Sequence, residues 1–233
     1  MTIADNIAVI RDRMARAAQR CGRNAAEVAL VAVTKTHPAE MVRQAWQAGV
    51  TTVGENYIQE ACDKIAALAD CPLSWHFIGH LQTNKAKIAV ALFDLIHGVD
   101  SLKLAREVDK QAAKIGKIQS ILIQVNVSGE ATKSGTTEEA ALELIRDAGR
   151  LEHLRVRGLM TMPPFFDQPE RARPYFAALR RLRDRIRAEA VAGVDMVELS
   201  MGMTGDFEVA IEEGATLVRI GTAIFGPRQA REA

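Results

Sequence analysis

Val28-Ala29-Leu30-Val31-Ala32-Val33 is an unbroken apolar run near the amino terminus, and Thr34-Lys35-Thr36-His37-Pro38 follows it directly. An apolar run without alternation is typical of a parallel strand that is buried on both faces. Such strands occur in α/β folds, where helices cover both faces of the sheet. We therefore expect this run to be the first strand of a parallel sheet, with Lys35 at its carboxyl end.

Further short apolar segments predict seven more strands, at residues 51–54, 74–78, 94–97, 118–127, 156–160, 195–199 and 216–220. Helical periodicity fills the intervals, at residues 38–48, 56–69, 84–92, 101–115, 137–148, 169–191 and 205–213. Eight strands alternating with seven helices predict a single (β/α)8 TIM barrel, an α/β fold for which 233 residues suffice. A doubly wound open sheet is the alternative, but it would place a glycine-rich loop where this chain has Lys35. Because no linker or internal repeat is evident, we expect residues 1–233 to form one domain.

Before the first strand, apolar residues recur at helical spacing in a segment whose other positions are rich in arginine. They are Ile3, Ile7, Ile10, Met14, Ala17 and Cys21. Steps of three and four residues place these side chains on one face of a helix. We predict an extra amino-terminal helix that covers the bottom or the flank of the barrel.

Composition and charge are those of an ordinary globular domain. Apolar residues make up 48% and charged residues 25%, with 30 Lys and Arg against 29 Asp and Glu. This balance gives no general attraction for nucleic acid or membranes. Charged residues interrupt the amino-terminal segment, which therefore lacks the continuous apolar region of a signal peptide. The three cysteines lack metal-ligand spacing, which favours free thiols in a reducing compartment. We expect a cytoplasmic protein that binds neither nucleic acid nor membranes.

Lys35 is the first candidate for chemistry, because barrels of this class place their active sites at the carboxyl ends of the strands. Desolvation there disfavours the ammonium form, and a neutral lysine amine can form a Schiff base with an aldehyde. The alternative is a lysine whose side chain only extends from the strand end into solvent.

Two small, hydroxyl-bearing loops follow the last two strands, at residues 200–206 and 221–223. In barrels, loops at these positions frequently bind a phosphate group through backbone N–H groups and the start of a short helix. Thr204, with Asp206 close behind it, is a plausible N-cap for the helix that follows.

Arg219 lies within an apolar strand, where an unpaired guanidinium would be costly to bury. It either forms a structural ion pair, for instance with Glu198, or donates to a ligand in the barrel mouth. Asn56, after the second strand, either caps the next helix or reaches a ligand oxygen.

Other polar features have simpler explanations. His76 and His80 have metal-ligand spacing only on a helix, whereas the segment reads as strand, so we predict no metal site. Lys133 lies in a loop and is either solvated or in contact with an anionic ligand. The arginine-rich helix at 169–191 is a solvated face rather than a nucleic-acid surface. The loop 160–168, which contains Pro163 and Pro164, is a lid over the mouth or a packed turn.

Four motifs resemble the pyridoxal phosphate homeostasis proteins. They are Val33-Thr34-Lys35-Thr36, Gly54-Glu55-Asn56-Tyr57, His76-Phe77-Ile78-Gly79-His80-Leu81-Gln82-Thr83-Asn84-Lys85 and Arg219-Ile220-Gly221-Thr222-Ala223-Ile224-Phe225-Gly226. The resemblance spans nearly the whole chain. It implies a barrel related to the amino-terminal domain of alanine racemase, with pyridoxal 5'-phosphate (PLP) bound as an aldimine on Lys35.

The resemblance also implies roles for the other candidate residues. Arg219 would face the pyridine nitrogen, Asn56 would line the ring's pocket, and Ser200, Gly221 and Thr222 would help to hold the phosphate. Thr204 stands where the family more often has serine, and this substitution keeps the hydroxyl.

Arg219 also bears on catalysis, because a guanidinium cannot accept a proton from the ring and so weakens PLP as an electron sink. Neither Tyr57 nor Tyr175 occupies a position that suggests the acid or base found in alanine racemase. We therefore expect a monomeric PLP-binding protein in PLP (vitamin B6) homeostasis and amino-acid balance, with little or no turnover. PLP-dependent apo-enzymes are its expected partners. The alternatives are a PLP-dependent amino-acid racemase or lyase, and a Schiff-base aldolase without PLP.

Overall fold

Eight parallel strands close into a barrel in chain order in the computed structural model, which describes residues 1–130 and 134–227. The last strand pairs with the first, with Ala29 opposite Leu217 and Val31 opposite Arg219. The strands are β1 Ala29–Val33, β2 Thr52–Glu55, β3 Ser74–Phe77, β4 Leu95–Val99, β5 Gln119–Gln124, β6 Leu154–Met160, β7 Val194–Ser200 and β8 Leu217–Ile220. The predicted (β/α)8 barrel is confirmed, and each predicted strand overlaps an observed one.

Helices surround the barrel, and one of them precedes the first strand. Within the described residues they are α1 Ile3–Arg20, α2 Ala39–Gln47, α3 Ile58–Ala67, α4 Ala86–Leu92, α5 Leu102–Lys114, α6 Glu138–Ala148, α7 Arg173–Ala188, α8 Phe207–Glu212 and α9 Thr222–Phe225. The one-turn helix α9 was not predicted, because four residues are too few for a periodic pattern. No helix in these ranges is both long enough and apolar enough to cross a membrane.

The amino-terminal helix α1 covers the flank of the barrel. Its predicted apolar face is buried at Ile7, Ile10 and Met14. The Asn6 amide donates to the Ile224 carbonyl at 2.9 Å, and Arg13 pairs with Glu208 of α8 at 2.9 Å. Of the two predicted positions, the structure therefore shows the flank.

The interior of the barrel has an apolar layer and a polar layer. Val31, Leu95, Leu122, Met160 and Leu217 form a buried cluster. Successive inward-facing residues on a strand are two positions apart, so the residues two positions after Leu95 and Leu217 also face inward. They are His97 and Arg219, which places polar side chains at the carboxyl end.

Gly158 on β6 lies where the register between β6 and β7 shifts. A Cβ atom at this position would lie 1.9 Å from the carbonyl oxygen of Glu198, which is backbone and cannot move alone. We expect Gly158→Ala to lower the free energy of unfolding by about 1–3 kcal/mol through overpacking. Urea unfolding measures this change, and Gly205→Ala is the control because nothing lies within 4 Å of its added Cβ. Equal stability of the two variants would contradict the prediction.

The arginine-rich helix α7 has the predicted apolar face, with Phe176, Leu179, Leu182 and Ile186 buried. Several of its arginines bind carboxylates. Arg173 contacts Glu170, Glu212 and Glu213, and Arg180 contacts Glu213. Lys133, the candidate for an anionic contact, lies outside the described residues.

Candidate functional site

A cavity of about 240 Å³ opens at the carboxyl ends of β1, β7 and β8. Lys35, Arg219, Gly221 and Thr222 line it together. The rest of its wall consists of Val33, His37, Pro164, Phe165, Phe166, Met203, Thr204, Gly205 and Asp206. Four of the six residues predicted for the site therefore lie on one cavity, although they come from opposite ends of the chain.

Lys35 lies in a tight turn, two residues after the end of β1, and its side chain is half-buried against the cavity. The next residue, Thr36, has a φ angle of 65°, which is costly for a β-branched residue. Its backbone N–H donates to a carboxylate oxygen of Glu60 at 2.8 Å. Helix α3 thus holds the turn in the conformation that places Lys35 at the cavity.

A buried ion pair lies beneath the same turn. The Lys64 ammonium group donates to Glu55 Oε1 at 2.5 Å and to the Thr34 carbonyl at 2.6 Å. The Thr34 hydroxyl donates to the same carboxylate oxygen at 2.6 Å. Burial raises the pKa of the Glu55 carboxyl, while Lys64 and Thr34 act in the opposite direction. The residue that precedes Lys35 is therefore held at both its carbonyl and its hydroxyl.

Arg219 extends from β8 into the polar layer, where only 4% of its surface is exposed. Its two terminal nitrogens donate to Ser200 Oγ at 2.5 Å and to the Thr161 carbonyl at 2.8 Å. Burial lowers its pKa to about 10, and the charge of Asp206 acts in the opposite direction. Arg219 therefore stays charged at neutral pH.

The predicted alternative, an ion pair between Arg219 and Glu198, is wrong. Glu198 accepts a hydrogen bond from the Thr216 hydroxyl instead. The register of β7 and β8 places Ser200 opposite Leu217, so Glu198, two residues earlier on β7, lies beside Thr216 and away from Arg219. The carboxylate that acts on Arg219 is Asp206, from the loop before α8.

Two histidines continue the polar layer from Ser200 across the barrel. Ser200 Oγ lies 2.9 Å from His97 Nδ1, and His97 Nε2 lies 3.1 Å from His76 Nδ1. Burial lowers the pKa of His76 to about 4, and it lowers that of His97 well below its usual range. Both imidazoles are therefore neutral near pH 7. The described residues contain no group of three or more His, Cys, Asp or Glu side chains that could hold a metal ion.

Asn56 lines a second cavity of about 400 Å³, next to the first and sharing Met203 with it. Helix α3 begins beyond Asn56, with Tyr57 at the N-cap position and no side-chain cap. The capping role considered for Asn56 is therefore wrong. Its Oδ1 atom is buried without a hydrogen-bond partner, which leaves an acceptor available.

The N-cap residue of helix α8, in the loop after β7, differs from the prediction. Helix α8 begins at Phe207 with Asp206 at the N-cap position, so Thr204 is not the cap. Asp206 Oδ1 instead accepts from the Met203 N–H at 2.6 Å, and burial raises the pKa of this carboxyl. The Thr204 residue lines the cavity, as the phosphate interpretation requires.

Gly221 and Thr222 follow β8 and begin the one-turn helix α9. A Cβ atom on Gly221 would lie 3.2 Å from the Val33 carbonyl, so a larger residue would crowd β1 beside the Lys35 turn. Across the cavity, the loop after β6 contributes Pro164, Phe165 and Phe166, and its Met162 and Pro163 line the second cavity. This loop is therefore a shared wall of the two cavities.

Ser200 is the predicted site residue that lies apart from the cavities. Its side chain is fully buried behind Arg219, and among the described residues it lines neither cavity. The phosphate contact that the resemblance implies for Ser200 stays a prediction.

Sequence reasoning missed the residues that support the site. Glu55 and Lys64 lie nine positions apart on a strand and a helix, and His97 is hidden inside an apolar strand. For Glu55 and Lys64, the sequence offered one indication: Glu55 ends a buried strand, where a carboxylate without a cationic partner would be costly.

Residues 5–229 match the family described as "Alanine racemase, N-terminal domain". The pyridoxal phosphate homeostasis protein of Aquifex aeolicus (strain VF5) is 45% identical over 229 residues, 98% of this chain and 100% of that protein. The protein of the same name from Pseudomonas aeruginosa is 48% identical over 227 residues, 97% of this chain and 96% of that protein.

Solved structures agree with this assignment. PipY of Synechococcus elongatus PCC7942, solved with PLP bound, has a TM-score of 0.85 and 34% identity over 97% of this chain and 100% of that one. Alanine racemase from Clostridium difficile 630 has a TM-score of 0.75 at 13% identity, over 98% of this chain and 58% of that one. This second likeness shows the fold alone. The protein thus belongs to the alanine racemase N-terminal domain family and, within its close relatives, to the pyridoxal phosphate homeostasis proteins.

Proposed function

We propose that this protein binds PLP through a Schiff base on Lys35 and acts in intracellular PLP homeostasis and amino-acid balance, with little or no turnover. The observation that carries the proposal is the meeting of Lys35, Arg219 and the Gly221-Thr222 loop on one cavity. In the proposed bond, the Lys35 nitrogen attacks the aldehyde carbon, a C=N bond forms and one water leaves. The PLP bound in the PipY structure supports the same cofactor here.

The cavity's donors fit the parts of PLP. Thr204 and Thr222 supply hydroxyls, and the backbone around Gly205 and Gly221 supplies N–H groups, which suit a phosphate dianion. Arg219 supplies only donors, so it suits an unprotonated ring nitrogen. The buried, unpartnered Oδ1 atom of Asn56 is an acceptor on the adjoining cavity. When bound, PLP supplies an electron sink, and Arg219 would weaken it by leaving the ring nitrogen unprotonated.

Neither Tyr57 nor Tyr175 lines the first cavity, which supports binding over turnover. All three cysteines are free thiols, in keeping with a cytoplasmic location. We propose one PLP-binding domain over residues 1–233 that works as a monomer and passes PLP to apo-enzymes.

Borohydride reduction followed by peptide mapping tests the Schiff base. We expect a phosphopyridoxyl group on Lys35 after incubation with PLP, and none at that position in Lys35→Ala, which also loses the visible absorbance of the imine. Lys85, an exposed lysine at the same rim, is the internal control and should stay unmodified. Wild-type protein that is modified elsewhere but not at Lys35 would contradict the proposal.

Turnover is tested separately. We expect no sustained conversion when the PLP-loaded protein is incubated with single L-amino acids and the products are analysed by chiral chromatography. Continued formation of the D-isomer or of a cleavage product would favour the racemase or lyase instead. A trapped sugar-phosphate adduct on Lys35, in place of the phosphopyridoxyl group, would indicate the aldolase.

A further inference from the structure

A chain of hydrogen bonds between polar side chains crosses the interior of the barrel. It runs from Arg219 through Ser200 and His97 to His76. Barrel interiors of this class are usually filled by branched apolar side chains. A polar column at this depth therefore calls for an explanation beyond packing.

One link of the chain has a fixed direction. A guanidinium has donors and no acceptor, so Arg219 donates and Ser200 Oγ accepts. The next link allows two arrangements. Either the Ser200 hydroxyl donates to His97 Nδ1, or His97 Nδ1–H donates to Ser200. In the second arrangement the Ser200 proton must find another acceptor, and among the described residues only Arg219 and His97 bond to its hydroxyl.

The charges at the two ends select the first arrangement. The positive charge of Arg219 acts on His97, and the negative charge of Asp94 acts on His76 at the other end. In a buried, low-dielectric setting these charges favour protons displaced away from Arg219 and toward Asp94. Every link then points the same way, from Ser200 to His97 Nδ1 and from His97 Nε2–H to His76 Nδ1.

We propose that Ser200, His97 and His76 form a charge-aligned hydrogen-bond chain that positions Arg219, with both imidazoles protonated at Nε2. Because the Ser200 hydroxyl proton points into the barrel, Ser200 is a positioning residue for Arg219 and does not donate to a phosphate. The role of Ser200 toward the ligand rests on the proposed function and deepens it. The order of protons in the chain does not depend on that function.

The order of protons is measured directly in the ligand-free protein. Long-range ¹H–¹⁵N correlation spectra distinguish a protonated from an unprotonated nitrogen in each imidazole ring. We expect His97 to carry its proton on Nε2 and to have a bare Nδ1, assigned by comparison with His97→Gln. The exposed His80 is the reference ring in the same spectrum. A proton on His97 Nδ1 would overturn the proposal.

The role of Ser200 is tested with two ligands that differ only in the phosphate. We expect Ser200→Ala to weaken PLP and pyridoxal by the same factor, roughly tenfold or more, because it disturbs Arg219. Thr222→Ala, the matched variant on the phosphate side, should weaken PLP and leave pyridoxal unchanged. A Ser200→Ala variant that weakens PLP alone would refute the positioning role. If the wild-type protein binds neither ligand, the proposed function is wrong. The ¹H–¹⁵N spectra of the ligand-free protein still decide the order of protons in the chain.

Discussion

Lys64→Met is expected to lower the free energy of unfolding by about 3–5 kcal/mol, because it leaves the buried carboxylate of Glu55 without its cation. Glu55 is fully buried, and its second oxygen already has no hydrogen-bond partner. Lys64 contributes a direct bond at 2.5 Å and also holds the Thr34 carbonyl. Removing Lys64 therefore costs more than one surface ion pair would. Urea unfolding monitored by circular dichroism measures the change.

The pair offers a matched set of variants. Lys64→Met combined with Glu55→Gln removes both charges, so we expect it to recover most of the lost stability. Lys87→Met changes an exposed lysine and should alter the unfolding free energy by less than about 0.5 kcal/mol. A Lys64→Met variant as stable as Lys87→Met would show that Glu55 does not need its partner.

Acidification from pH 7 to 4 is expected to remove about 3 kcal/mol of stability through His76 alone. Burial lowers its pKa from 6.5 in the unfolded chain to about 4 in the folded protein. Between these values the unfolded chain binds the proton and the folded protein does not. The contribution of His76 to the unfolding free energy is therefore fully present above pH 6.5 and is lost as the pH drops toward 4. The more deeply buried His97 acts in the same direction.

Carboxylates titrate in part of the same range, so the test compares variants. His76→Gln removes the titrating group, and its amide oxygen can still accept from His97 Nε2–H. We expect the loss of stability between pH 6.5 and 4 to be smaller in His76→Gln than in the wild type. His80→Gln changes an exposed histidine and should keep the wild-type profile. Identical profiles for His76→Gln and the wild type would contradict the prediction.

The fold and half of the site could be predicted because they depend on local pattern. A continuous apolar run identified β1, and the position of Lys35 just beyond it followed from the rule that barrel sites lie at the strand ends. The loops after β7 and β8 come to the same rim for the same reason. Barrel topology alone therefore brought Lys35, Gly221 and Thr222 together.

The alternatives for Arg219, Asn56 and Thr204 could not be settled in the same way. Each depended on where a neighbouring helix begins or on the register of two neighbouring strands. The register of β7 and β8, with Ser200 opposite Leu217, places Glu198 beside Thr216 rather than beside Arg219. A helix start later than expected turned Thr204 and Asn56 from possible caps into cavity residues.

The sequence by itself determined the barrel, the rim on which chemistry would lie and the lysine most suited to it, because apolar periodicity and strand ends are local properties. Tertiary packing decided what supports that lysine and Arg219. Glu55 meets Lys64, and Ser200 meets His97, across elements whose spacing carries no periodic signal. These contacts exist because burying a charge or a polar group is costly without a partner. The packing of α3 on β2 brings Lys64 to Glu55, and the closed barrel brings Ser200 to His97.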